Sequence, residues 1–166
     1  MSPNTLWDLF VDQLKDVHDA EQRITRALPR MAKAAQSDTL RSALSHQLQQ
    51  TEEHLHRVEQ VFDSIDVSPS RKTCKAIVGL IEEGEELMKE DADRVRDAAL
   101  IAAAQKVAHY EMATYGCLRA WADVLGEDEA SRLLQSTLDE EGAADHELTE
   151  IAQSLNVEAV TRRDEE

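Results

Sequence analysis

Apolar residues recur at spacings of three, four or seven through four long stretches of this 166-residue chain, and acids interrupt those stripes. In the first stretch Leu6, Phe10, Val17, Ile24, Leu28, Met31 and Ala35 share one face, and in the second Leu40, Leu44, Leu48, Leu55, Val58 and Phe62 do. Ile101, Ala104, Ala108, Tyr115, Leu118, Ala122 and Leu125 make a third stripe with Glu111 at its centre. Leu134, Leu138, Leu148, Ala152 and Leu155 make a fourth, which Glu141 and Asp145 share. A period near 3.6 held over about 30 residues is the signature of an amphipathic helix. Only 5 Gly and 3 Pro punctuate the chain, so strands and tight turns have few places to form. The pattern predicts one all-α domain over residues 1–166, a length that supports a workable core.

The punctuation sets the connections. Ser2 before Pro3 reads as a cap and first helical position, opening a helix to about residue 35 in which Pro29 predicts a kink or irregular turn near Thr25 to Pro29. Ser37 and Asp38 offer the next cap, for a helix to about residue 65 that returns antiparallel to the first. Ser68 and Pro69 repeat the signal ahead of a shorter helix through Cys74, Ile77, Ile81 and Met88, whose Gly79 and Gly84 predict close packing. Asp91 or Asp93 caps the third long helix and Gly126 ends it, and Glu127 or Asp128 starts a fourth that runs to about residue 156 before a polar, frayed tail. Two long hairpins joined by some thirty residues that carry their own helix fit a ferritin-like four-helix bundle with a long crossover.

The acids repeat with the hairpins. Glu21 and Glu111 are 90 positions apart, and His54 and Asp145 are 91 apart. Carboxylates projecting into a bundle interior are too costly to leave unpaired, and a pair of metal ions is one remedy. Glu21, His54, Glu111, Glu141 and Asp145 are therefore the candidate metal ligands. Oxygen donors with an occasional imidazole suit divalent Fe or Mn, and four carboxylates balance two such ions. Asp145, one turn after Glu141, either ligates or hydrogen-bonds to a ligand, and Tyr115 stands one turn from Glu111. The competing reading buries these acids against Arg or Lys, and leaves His54, near the edge of its stripe, as a satisfied or exposed residue. Glu53 and His56 form the one Glu-x-x-His motif, but their phase puts both on the outer side of the helix, and His109 points away from the Glu111 face. His18 and His146 have no phase that demands a role, and the run Glu82, Glu83, Glu85, Glu86 reads as a solvated face.

A formal charge of −16 opposes phosphate backbones and anionic membranes, which excludes nucleic-acid binding as the expected function. No phosphate loop, nucleophile elbow or CxxC pair is present, so a hydrolase reading has no support. Cys74 and Cys117 read as small apolar packing residues, and Trp7, Phe10 and Trp121 as core or subunit-interface residues. With no leader-like start and no apolar run of membrane-spanning length, a reduced, cytoplasmic location is the expectation.

The segments at 16–35, 50–62, 96–122 and 136–152, with His109, Tyr110 and Glu111 followed by Tyr115 and Gly116, resemble the YciE/YciF family of bacterial stress proteins. The resemblance spans nearly the whole chain. It implies a ferritin-like, rubrerythrin-like bundle, a homodimer, and a dimetal centre. Family members often carry Glu where this chain has Gln50 and Ala108, so two possible ligands are absent here. Two functions are expected to compete. One is a di-iron or di-manganese protein with an oxygen- or peroxide-linked role in stress. The other is a metal-poor structural or interaction protein that keeps the bundle.

Overall fold

The computed structural model describes residues 3–89 and 93–160, and every regular element among them is helical. The elements are α1 (Leu6–Ala34), α2 (Asp38–Ser64), α3 (Lys75–Leu87), α4 (Asp93–Leu125) and α5 (Asp128–Val160). The expected four long helices and one short crossover helix are all present.

Local chemistry explains the boundaries. α1 starts three residues later than the Ser-Pro signal predicted, because Thr5 and Asp8 form a reciprocal capping box: Asp8 N donates to Thr5 Oγ1 and Thr5 N donates to Asp8 Oδ2, each at 3.1 Å. The Ser2 cap, the Asp91 cap and the tail beyond 160 lie outside the described residues. α1 continues through Pro29, which removes one bond without ending the helix. Ser37 caps α2 as predicted. The proline signal at Ser68 and Pro69 opens no helix: α3 begins after Cys74, whose Sγ accepts from Ile77 N at 3.5 Å, and the residues before it run as an irregular strap. Gly126, with φ at +78°, closes α4 in the left-handed region that favours glycine. α5 runs on to Val160, past the expected end near 156.

α1 packs on α2, α4 on α5, α2 on α5 and α1 on α4, so the four long helices form a square, with α3 laid against α4 and α1. The carboxylate of buried Asp97, early in α4, accepts from Gln36 N and Ser37 N at 2.8 Å each. That contact puts the start of α4 at the α1–α2 turn, the end opposite Ser64. The segment between α2 and α4 therefore traverses the bundle, and α2 and α4 run parallel, as a ferritin-like crossover requires.

The interior divides into two apolar clusters. One gathers Ile24, Leu28, Leu40, Leu44, Leu100, Ile101 and Leu148 at the α1–α2 turn end. The other gathers Phe10, Leu14, Val17, Val58, Phe62, Tyr115, Leu118 and Leu134 at the opposite end, with Trp7 and Trp121 partly buried against it. Cys74 is buried as expected, whereas Cys117 is exposed. Its helix turns its inner face at Tyr115 and Leu118, which leaves the intervening cysteine outward.

Candidate metal centre

Between the two clusters lies a polar layer. Glu21, His54, Glu111 and Glu141 come from α1, α2, α4 and α5, one from each long helix, and each is 1% exposed or less. Their helical neighbours fix this inward aim: Glu21 lies between buried Val17 and Ile24, His54 between Thr51 and Val58, Glu111 between Ala108 and Tyr115, and Glu141 between Thr137 and Ala144. Ligand atoms of Glu21, His54 and Glu111 all lie within 4.8 Å of one another. His54 Nδ1 is 3.3 Å from Glu141 Oε1, an ion-pair distance without hydrogen-bond alignment.

Asp145 does not join them. After Glu141 the inward positions of α5 are taken by Ala144 and Leu148, so Asp145 is rotated to the rim over α4, where its carboxylate is 20% exposed. There it lies 3.2 Å from His109 Nε2 and accepts from Gln105 Nε2 at 3.2 Å. His109 is outward, as its phase required. His54 moves the other way, from the stripe edge to the centre. The inner face of α2 passes through Gln47, Thr51 and His54, while Leu48 and Leu55 are only half-buried. Gln50, one turn before His54, is half-buried at the edge of that face, and Ala108 is fully buried beside the layer. Glu53 and His56 are exposed on the outer side.

Burial raises the pKa of the Glu21 carboxyl to about 7; the Glu141 charge adds to the rise, while His54 and the Tyr115 hydroxyl, which donates to Glu21 Oε1, oppose it. Burial, then the charges of Glu21 and Glu141, puts Glu111 well above the ordinary carboxyl range. Burial also raises the Tyr115 phenol, with Glu21 adding to it. For His54 burial disfavours the cation, but the carboxylates of Glu141, Glu21 and Glu140 outweigh it and the imidazole is raised. Without a cation, Glu21 and Glu111 keep protons at pH values where they would shed them in water.

Two residues that periodicity did not single out complete the surroundings. Glu140, one-third exposed, sits 2.8 Å from His54 Nε2 and accepts two 2.8 Å bonds from the Arg57 guanidinium, which holds its carboxyl below the usual range. Neither lies on an inner face, so no apolar stripe could reveal them.

The donor set fits a hard divalent cation. Glu21 Oε2, His54 Nδ1, Glu111 Oε1 and Glu141 Oε2 are buried and have no hydrogen-bond partner. Native interiors rarely leave four such atoms unsatisfied in one place, and carboxylate oxygens with one imidazole nitrogen are the ligands Fe and Mn accept.

A ferritin-like four-helix bundle with a buried carboxylate and imidazole layer is the class these features define. Residues 5–161 match the family described as Domain of unknown function (DUF892), and the chain belongs to that family. It is 43% identical over 154 residues to Protein YciF of Escherichia coli, covering 92% of this chain and 93% of that protein. The crystal structure of the E. coli stress protein YciF superposes with a TM-score of 0.90 at 42% identity, over 92% of this chain and 98% of that one. YcfI of Rhodopseudomonas palustris, described as a putative structural protein, gives 0.86 at 41% identity over 90% and 97%. A protein from Xanthomonas campestris shares the fold at 0.77 and 18% identity over 96% and 99%.

Proposed function

We propose that this chain is a stress-response protein whose bundle binds divalent Fe or Mn between its four long helices. The observation that carries the reading is the set of four buried, partnerless ligand atoms in one layer. Glu21, His54 and Glu111 are close enough to share one ion, and Glu141 extends the set toward the second ion of a pair. Asp145 is removed from the ligand set, so three carboxylates would leave two divalent ions with one net positive charge. Bound Fe or Mn would supply one-electron chemistry toward oxygen or peroxide. The residues' own part is to orient the ligands, and the apolar clusters on both sides exclude water. Family membership and the stress-protein description of YciF support the physiological half of the reading.

Under the same reading the protein works in the cytoplasm as a homodimer and without nucleic acid or membrane. The −16 charge supports the last two, and no described helix is long and apolar enough to cross a membrane. The alternative, a metal-poor structural protein, draws on the description of the Rhodopseudomonas relative and on the protons that the raised carboxyls of Glu21 and Glu111 can retain. Thermal melts of chelator-stripped protein before and after adding Mn(II) separate the two. A ligand at 100 times its Kd stabilises by about 2.7 kcal/mol, a rise of several degrees. No rise for Mn(II) or anaerobic Fe(II) would overturn the metal reading.

A further inference from the structure

The two ring nitrogens of His54 face different surroundings. Nδ1 has no hydrogen-bond partner and faces the buried layer, 3.3 Å from Glu141 Oε1. Nε2 is 2.8 Å from Glu140 Oε2 on the opposite side of the ring. Glu140 is itself immobilised, since Arg57 donates to both of its oxygens at 2.8 Å and also reaches Thr137 Oγ1 at 3.3 Å. Tyr115 packs edgewise on the imidazole, with ring centroids 6.4 Å apart, and so hinders rotation of the ring.

We propose that Glu140, held by Arg57, is a positioning residue that keeps the proton of His54 on Nε2 and so presents Nδ1 as the ligating nitrogen. The inference rests on the metal reading above. A neutral imidazole carries one N–H, and the nitrogen that finds a fixed acceptor keeps it. Glu140 is that acceptor for Nε2, which leaves the Nδ1 lone pair on the side of Glu141, in the layer shared with Glu21 and Glu111. The guanidinium of Arg57 works in the same direction, because its charge repels any cation from the Nε2 side. A carboxylate behind a ligating imidazole also raises the basicity of the ligand, and losing such a partner typically costs ten- to a hundred-fold in metal affinity.

Zn(II), a diamagnetic probe, tests this on the full chain labelled with 15N-histidine. In the parent, His54 should show a metal-bound Nδ1 and a protonated Nε2. Glu140→Leu removes the acceptor and should weaken Zn(II) binding by about ten- to a hundred-fold. Glu140→Gln, whose amide oxygen can still accept from Nε2, should keep Nδ1 ligation and most of the affinity. A purely structural role for the Arg57–Glu140 pair predicts instead that Glu140→Leu lowers the melting temperature while Zn(II) affinity stays within two-fold of the parent, and that result overturns the proposal. Nε2 ligation in the parent overturns it as well, however the variants fold. A parent that binds no Zn(II), Mn(II) or Fe(II) refutes the metal reading itself and takes the inference with it.

Discussion

The metal-free protein should lose stability as the pH rises toward neutrality, and Glu21 sets the size of the loss. Its carboxyl is fully buried, and its pKa lies at about 7 in place of the ordinary 4.5. Between those values the folded chain holds a proton that the unfolded chain has released. Stability is therefore intact below about pH 4.5, declines through the interval, and has lost its full increment above about pH 7. At 1.36 kcal/mol per pH unit, the interval from 4.5 to about 7 amounts to about 3 kcal/mol. Glu111 and His54 act in the same direction, since both pKa values are raised on folding. Chelator-treated parent and Glu21→Gln should be compared by urea denaturation at pH 5 and pH 7.5. Subtracting the two curves removes the general effect of the −16 charge, which both proteins share to within one unit. Part of that loss has already occurred by pH 5, so the parent should fall by about 2 kcal/mol more than the variant over this range. Parallel curves would refute the claim that burial makes the Glu21 carboxyl resist ionisation.

Three further outcomes follow from the same geometry. Tyr115→Phe removes the donor to Glu21 Oε1 and should cost about 1–3 kcal/mol in urea melts, with the larger loss above pH 7 where Glu21 is ionised. Asp97→Ala strands two backbone donors at the α1–α2 turn and should cost about 2–3 kcal/mol, leaving metal stoichiometry unchanged in the reloaded protein. Asp145→Asn should leave the number of Mn(II) bound on titration unchanged, because that carboxylate bonds to Gln105 at the rim, whereas Glu141→Gln should reduce it.

The fold was legible because it is written in apolar periodicity. Helix count, the antiparallel hairpins and the crossover all follow from stripes such as Ile101, Ala104, Leu118 and Ala122. Boundaries were less legible, because caps depend on side-chain geometry: Thr5 with Asp8 displaces the signal at Pro3, and the Cys74 thiol takes the place expected for Ser68. At the site, Glu111 and Glu141 were readable because apolar neighbours flank them. The burial of His54 was not legible for the converse reason. Its flanking inner residues, Gln47 and Thr51, are polar, so periodicity followed Leu48 and Leu55 and shifted the phase of α2. The rim position of Asp145 was not legible, because an i, i+4 spacing puts two residues on one side of a helix without deciding which is inward, and Ala144 holds the inward place. Glu140 and Arg57 act through a contact between α2 and α5 made outside both stripes, information that the sequence of either helix alone does not contain.

Whether the buried layer holds metal, as proposed, is decided by elemental analysis of protein purified from cells supplied with Fe and Mn. The parent should carry at least one equivalent of Fe or Mn per chain, approaching two if the pair is complete, and should lose most of it in Glu111→Ala, whose carboxyl shares the layer with Glu21 and His54. Fewer than about one equivalent of Fe, Mn or Zn in the parent, unchanged in Glu111→Ala, would contradict it.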